Sequence, residues 1–483
     1  MAAVLIAPRL AGRTTAQFWL TAGVAVIAPL PFGSVGLFWI ALWVVLLSVG
    51  CLLGSFADFN PRQFRLLCLF LLVVAAYASV AIIQILPAPD WLPTNPIWSE
   101  ASKLLDTPLV PRVSVRGSIP TIALGSLLLF TLAFTNGYII GGNADRSVAL
   151  FRLLAYSGAV YAVYGLLSNA LTPTGLLWRE KAAYVGSVTG TFVNRNTAAS
   201  YFGACTIVWF ALIARRLPAL QLISFKVAVL APLPGRDLGA VMFRTVGFAI
   251  CFAATVGTGS RAGVLLTLAA LALTAWLIYA NRLRGILMKI AVLVAIGALG
   301  AAAALGHLAI GRAQSEGLFD AYRLATYRSA FRLITEHPWL GVGLGSFGEV
   351  FPRVRTGELA IWGIWDKAHS TALEIAVEMG LPIAALVCGV AAILFISIVR
   401  STIQENMQRR SLLAATAGLS ALGLSHSLID FPLQIPGFAV IFAIVTACGI
   451  ARSTSERTTG SVALPKVDTA TAKSCGHADR LKI

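Results

Sequence analysis

Residues 366–382 read DKAHSTALEIAVEMGLP and run on into IAALVCGVAAILFISIV, an apolar stretch long enough to enter a membrane. A helix needs about 20 apolar residues to cross the hydrocarbon core. The run expected to span, 370–399, opens beside His369 and encloses Glu374 and Glu378. An unpaired ionised group in that medium costs several kcal/mol, so such residues are rare there and usually functional.

Runs of this length recur along the whole chain of 483 residues, of which 58% are hydrophobic and only 12% charged. The mean hydropathy is +0.82. Soluble domains carry about 25% charged residues, so the composition is that of an integral membrane protein. The short alternating segments of a β-barrel are absent from the pattern. Spans are expected near 16–32, 35–55, 66–87, 119–141, 149–170, 199–214, 244–258, 262–280, 285–306, 370–399, 411–429 and 435–451. The expected fold is therefore an all-α integral membrane protein of about 12 transmembrane helices. A long, partly helical loop on the extracytoplasmic face precedes the last three spans.

The formal charge of +17 follows from topology and needs no nucleic-acid partner. Arg9, Arg13, Arg62, Arg65, Arg146, Arg152, Arg215, Arg216, Arg282, Arg284, Arg400, Arg409 and Arg410 all fall on one side, which the positive-inside rule makes cytoplasmic. Both termini are expected there, with the first helix retained. The opposite face carries loops 88–118, 171–198 and 307–369. The last holds Arg312, Arg323, Arg328, Arg332, Arg353, Arg355 and Lys367, which implies an anionic partner. The polar tail 452–483 lacks aromatic residues and reads as disordered. The seven cysteines are scattered, with no CxxC or CxxH spacing to suggest a metal site or a disulfide framework.

Within the long loop, LFDAYRLATYRSAFRLITEHP (318–338) reads as an amphipathic helix stopped by Pro338. Helical spacing places Phe319, Tyr327, Ala330, Phe331 and Ile334 on one face with Arg323 at its centre, and Arg328 and Arg332 opposite beside Ser329 and Thr335. An arginine on an apolar face is either a buried ion pair, a snorkelling stem, or a fork for bidentate phosphate binding. The following GLGSFG (343–348) fits G-x-G-x-x-G, but outside a βαβ unit its glycines are expected to form a tight turn.

Three further clusters stand out. Asn194, Arg195 and Asn196 precede the span near 199, where Asn196 or Thr197 is expected to cap the helix. The two asparagines and the arginine could alternatively bind sugar hydroxyls or phosphate. In TVGTGSRAGVLL (255–266), Ser260 is the expected cap and Arg261 strengthens the anion preference of a helix N-terminus. His426 and Asp430, one turn apart in SHSLIDFPLQIPG (425–437), are expected to pair with each other in a supporting, structural role.

Taken together, GTFVNRNTAASY (190–201), SRAG (260–263), RLATYRSAFRLITEHPWLGVGLGSF (323–347), AHSTALEIAVEMGLP (368–382) and SHSLIDFPLQIP (425–436) resemble the O-antigen ligase / O-antigen polymerase superfamily of bacterial membrane glycosyltransferases. The motifs follow the family order across roughly 185–445. The resemblance implies three parts: N-terminal spans over 1–184, a ligase-like core over 185–451 and the tail 452–483. It also implies a periplasm-facing active site in the bacterial inner membrane. The donor is a glycan on undecaprenyl diphosphate, and the acceptor is lipid A–core for a ligase or the growing glycan for a polymerase. Membrane lipids are the surrounding partner.

The family's two essential arginines map onto Arg261 and Arg323, and its essential histidine onto His369. Tyr327 stands where the family usually has Trp, and Ser370 where Asn is commoner. Members work without a metal or other cofactor, and this chain has no Asp-x-Asp. The implied chemistry is inverting transfer, with the arginines on the diphosphate and His369 as general base; an unperturbed imidazole titrates near about 6.5. Glu374 and Glu378, a turn apart on one face, either pair with arginines or hold helices together, or they position Arg261 or Arg323. An exopolysaccharide polymerase and a lipid-linked glycan transporter are the alternatives.

Overall fold

The computed structural model describes residues 2–57, 59–216, 235–279, 321–357, 359 and 365–455. Fifteen α-helices carry them: α1 Ala2–Ile27, α2 Leu37–Leu53, α3 Pro61–Ile85, α4 Ile97–Leu104, α5 Ile119–Gly141, α6 Ala144–Leu171, α7 Arg195–Ala214, α8 Gly235–Gly257, α9 Arg261–Tyr279, α10 Ala321–Glu336, α11 Phe347–Val354, α12 Thr371–Met379, α13 Leu381–Ile403, α14 Met407–Ser427 and α15 Pro436–Thr454. Two residues each from β1 Gly175–Leu176 and β2 Arg179–Glu180 form a small antiparallel hairpin. Eight helices are long and apolar enough to cross a membrane, so this is an all-helical, multi-pass membrane protein. Eleven of the expected spans fall on described helices, while 285–306 lies outside the described residues.

The sequence explains several boundaries. α1 stops at Ile27, short of the expected end, because Pro29 and Pro31 cannot continue a helix. α3 begins with a reciprocal cap: Asn60 accepts from Gln63 N, and Gln63 returns the bond to Asn60 N, with Pro61 in the first turn. α15 continues to Thr454, so the first residues of the segment expected to be disordered from 452 are helical; residues 456–483 lie outside the described residues.

α7 and α15 form the centre of the bundle, with 89% of each apolar window buried. Lipid tails are as apolar as side chains, so helices here associate through close packing rather than water exclusion. The segment GYIIG (137–141) provides that packing. A Cβ on Gly137 would collide with the backbone of Ile444, and one on Gly141 with that of Cys448, so α5 lies backbone to backbone against α15. A buried polar cluster ties α1, α2 and α5 together: Gln17 Nε2 and Thr21 Oγ1 each donate to Asn136 Oδ1 at 3.1 Å, and Asn136 Nδ2 donates to Leu47 O at 2.9 Å.

The run expected to span at 370–399 is in fact two helices. Gly380, at φ +83°, breaks it, and a side chain there would strike Trp339 O. Glu374 and Glu378 thus belong to the short α12, outside the spanning α13. α10, α11 and α12 build a second apolar core from Ala330, Leu333, Ile334, Phe347, Phe351 and Val377. The face expected for α10 is shifted: Ser329 is buried, while Phe331 is 61% exposed. Ala330 and Ile334 are buried in the second core and Arg328 and Arg332 are exposed, as expected, so the shift is confined to Ser329 and Phe331.

Gly341, Gly343 and Gly345, all at positive φ, form the turn that returns the chain to α12. Val342 N and Gly343 N donate to Val377 O and Glu378 O at 3.0 and 3.1 Å. From α3, the buried Gln84 donates to Leu340 O and Glu378 O at 2.6 and 2.7 Å and accepts from Leu344 N at 2.9 Å. One amide thereby fastens the outer core to the bundle.

The α5–α15 contact yields a test. Gly137→Val forces the two backbones apart and is expected to destabilise the protein by about 1–3 kcal/mol, the usual effect of overpacking. The lower melting temperature is read by size-exclusion of heated, detergent-solubilised protein.

Candidate active site

The elements bring several polar segments to one end of the bundle: the N-termini of α7 and α9, helix α10, the turn before α12, and the connection between α14 and α15. α7 and α9 run side by side in the same direction, with Gly263 leaving no room for a side chain against Ala199. Ser260 caps α9, accepting from Gly263 N at 3.2 Å, so Arg261 sits in the first turn as the sequence implied. The cap of α7 differs from expectation. Asn194, rather than Asn196 or Thr197, accepts from the backbone N–H groups of both those residues. Asn194 and Arg195 are thereby engaged locally, the latter with its guanidinium 5.1 Å from the Tyr184 ring centroid.

Asn196 points inward to Asp430, and so do two other candidates. Asp430 has a side chain only 2% exposed. Its Oδ2 receives Arg323 Nη2 at 3.1 Å and the Asn196 amide in a short contact. Its Oδ1 accepts from Phe431 N at 2.8 Å and faces His369 Nδ1 at 3.8 Å. Arg323 also donates from Nη1 to Ile429 O at 3.0 Å, which fixes the plane of its fork. Burial alone would raise the Asp430 carboxyl, but the imidazole of His369 and the guanidinium of Arg323 outweigh it and hold it below its ordinary value. The carboxylate is therefore ionised at neutral pH.

His369 takes a left-handed backbone at φ +52°, which is uncommon for a residue with a side chain. Tyr327 OH, from α10, donates to His369 O at 2.8 Å and helps hold that conformation. Phe431 and Trp365 meet the imidazole edge to face, with centroids at 5.2 and 6.0 Å. The Nδ1 edge is buried toward Asp430, so the Nε2 edge is left to face a reacting group. Ser370 caps α12 by accepting from Leu373 N, the job an asparagine would also perform there.

Two expected pairings are replaced. His426 does not bond the Asp430 side chain; its Nδ1 lies 2.6 Å from Ser200 Oγ, and its carbonyl accepts from Asp430 N at 2.9 Å. It therefore shapes the turn that delivers Asp430. Glu374 bonds Lys367 Nζ at 3.2 Å and Ala368 N at 2.8 Å, fastening the segment just before His369. Glu378 accepts from Phe347 N at 3.0 Å. Burial, with the Glu374 charge beside it, raises its carboxyl above the usual range despite that bond. Both carboxylates thus support the loops around the site, a role the membrane-span reading of 370–399 concealed.

A larger cavity of about 1080 Å³ lies at the opposite ends of α3, α13 and α15, among Arg62, Arg65 and Arg400. It shares no residue with the cluster around Asp430, which has the chemistry.

No curated protein matches this chain. Residues 246–388 match the family model described as O-antigen ligase. The match takes in a little under a third of the chain, and includes Arg261, Arg323 and His369 but neither Asn196 nor Asp430. That match supports placing the chain with the O-antigen ligase and polymerase superfamily.

Proposed function

We propose that this protein is a periplasm-facing glycosyltransferase of the bacterial inner membrane, moving a glycan from undecaprenyl diphosphate to a hydroxyl of lipid A–core in the manner of an O-antigen ligase. The observation that carries this reading is the convergence of Arg323 and His369 on one buried carboxylate, Asp430. Residues 185–451 then carry the catalytic core.

Transfer has two requirements: the departing diphosphate accumulates negative charge, and the acceptor hydroxyl must lose a proton. Arg323, whose fork is oriented by Asp430 and Ile429 O, and Arg261, at a helix N-terminus, meet the first. Their charge supplies what a divalent cation supplies in metal-dependent transferases. His369 meets the second. With Nδ1 turned to Asp430, its Nε2 accepts the hydroxyl proton while the acceptor oxygen bonds to the anomeric carbon. The bond from that carbon to the diphosphate breaks, and the diphosphate leaves with the electron pair. A single displacement inverts the anomeric configuration.

Asp430 is a positioning residue in this scheme. It orients the imidazole and favours the imidazolium that forms, and the 3.8 Å separation has only to tighten by under an ångström on substrate binding. Asn196, His426 and the Glu374–Lys367 pair hold the surrounding turns.

Turnover of lipid-linked glycan by the purified protein tests the scheme. His369→Ala is expected to lower kcat by about 10²–10⁴-fold, the usual worth of a general base, and Asp430→Asn by roughly tenfold or more. Arg323→Lys keeps the charge but not the fork and is also expected to impair transfer. Full activity of His369→Ala at normal expression would overturn the base assignment. In a deletion strain, rough lipopolysaccharide with accumulated lipid-linked polymer identifies a ligase, whereas single repeat units on the core identify a polymerase. A separate prediction concerns Tyr327. Tyr327→Phe removes the donor to His369 O, about 0.5–1.5 kcal/mol, and is expected to reduce kcat with little change in melting temperature. Tyr327→Trp, which restores an N–H donor, is expected to recover activity.

A further inference from the structure

A second cavity, of about 500 Å³, opens at the same end of the bundle between the turn after α1 and the β1–β2 hairpin. That volume is ordinary for a small-molecule site, about 300–1,000 Å³. Phe32, Trp39, Trp178, Arg179, Glu180 and Lys181 give its walls their chemistry. Trp178 is 70% exposed, and its ring meets Phe32 edge-on at 5.0 Å. The Arg179 guanidinium lies 4.8 Å from the Phe32 centroid, and Lys181 Nζ donates to Ser187 O at 2.9 Å. Glu180 forms no ion pair among the described residues.

Both walls hold strained backbone. Phe32 and Ser34 on one side, and Leu177 and Tyr184 on the other, take positive φ between 54° and 60°. Such residues cost on the order of 1–3 kcal/mol each and persist only where their surroundings fix them. Here Ser34 Oγ donates to Ala28 O at 2.6 Å and receives Trp43 Nε1 at 2.8 Å, while Leu177 N donates to Tyr164 OH at 2.8 Å. One short segment of chain connects the cavity to the site. Val193 lines it, and three residues further on Asn196 bonds Asp430. Thr191 Oγ1 ties the same segment to Pro29 O at 2.6 Å.

We propose that this cavity is a glycan subsite, in which Trp178 is the platform for a pyranose ring and Arg179 and Glu180 bond its hydroxyls. The inference rests on the glycosyl-transfer reading above. A pyranose ring has a C–H-rich face that packs on an aromatic ring and a hydroxyl rim that needs both donors and acceptors. The wall supplies all three. Tryptophan also anchors proteins at the membrane interface, but an anchor has no use for a carboxylate, a guanidinium and an ammonium around one cavity. A purely anionic ligand would offer Glu180 no donor, whereas a hydroxyl rim does.

The test uses the full-length protein in nanodiscs with Trp178→Ala and Trp178→Phe, at a position 70% exposed whose ring contact is with Phe32. Two assays are run: steady-state transfer, and calorimetric binding of the free polysaccharide released from the lipid-linked donor by mild acid. Trp178→Ala is expected to raise one KM roughly tenfold, as loss of an aromatic contact would, and to change kcat by less than about twofold. Trp178→Phe is expected to stay near the parent value. A raised donor KM places the donor glycan in the subsite, and a raised acceptor KM places the acceptor glycan there. Unchanged KM values with unchanged polysaccharide binding overturn the subsite while leaving the transferase reading intact. If the parent protein transfers nothing, that reading fails, and calorimetry alone then decides: weakened polysaccharide binding by Trp178→Ala supports the subsite, and unweakened binding overturns it.

Discussion

An ionised carboxylate with almost no contact with water is the constraint around which the candidate site is organised. Asp430 can remain charged only because Arg323, Asn196 and the Phe431 N–H surround it and His369 lies beside it. Each partner comes from a different part of the chain: α10, the first turn of α7, the connection after α14, and the turn before α12. Satisfying one side chain therefore fixes the relative position of four segments. Loss of a partner leaves charge buried without compensation, which is far costlier than loss of a surface pair.

That dependence explains why so much of the outer structure is devoted to holding turns. Gln84 links α3 to the glycine turn and to Glu378, and Glu378 holds the start of α11. Glu374 and Lys367 fasten the residues just before His369. His426 and Ser200 shape the connection that carries Asp430. None of these groups needs to touch a substrate to matter. They convert loose connections into a frame, and the bundle beneath supplies rigidity through the backbone contact of Gly137 and Gly141 with α15.

The bundle was largely legible in the sequence because hydropathy reports the solvent that a segment must enter, and that signal is local. The side on which the polar clusters fall was legible for the same reason, since connected spans alternate direction. What pairs with what was less so. Arg323 looked buried on a helical face, but only the fold reveals its partner 107 residues away. His426 and Asp430 stand a turn apart and invite pairing, yet the helix ends between them and sends their side chains to different neighbours. Gly380 was readable as a residue that breaks helices, but it stood inside an apolar run whose length argued for continuity. The end of that run carried Glu374 and Glu378, so they were assigned to the membrane. The hairpin with Trp178 escaped notice because two-residue strands leave no periodic trace.

The two oxygens of Asp430 have different work. Oδ2 is taken by Arg323 and Asn196, whereas Oδ1 is held by a backbone N–H and looks toward His369. On the proposed reading, one carboxylate orients both the charge that receives the leaving diphosphate and the base that deprotonates the acceptor. The two halves of the displacement are then coupled through a rigid group rather than through solvent. An anion drawn to Arg323 lessens that residue's hold on Asp430, and the carboxylate becomes a better partner for the imidazolium across the site. Donor binding and acceptor activation then act on opposite oxygens of the same carboxylate.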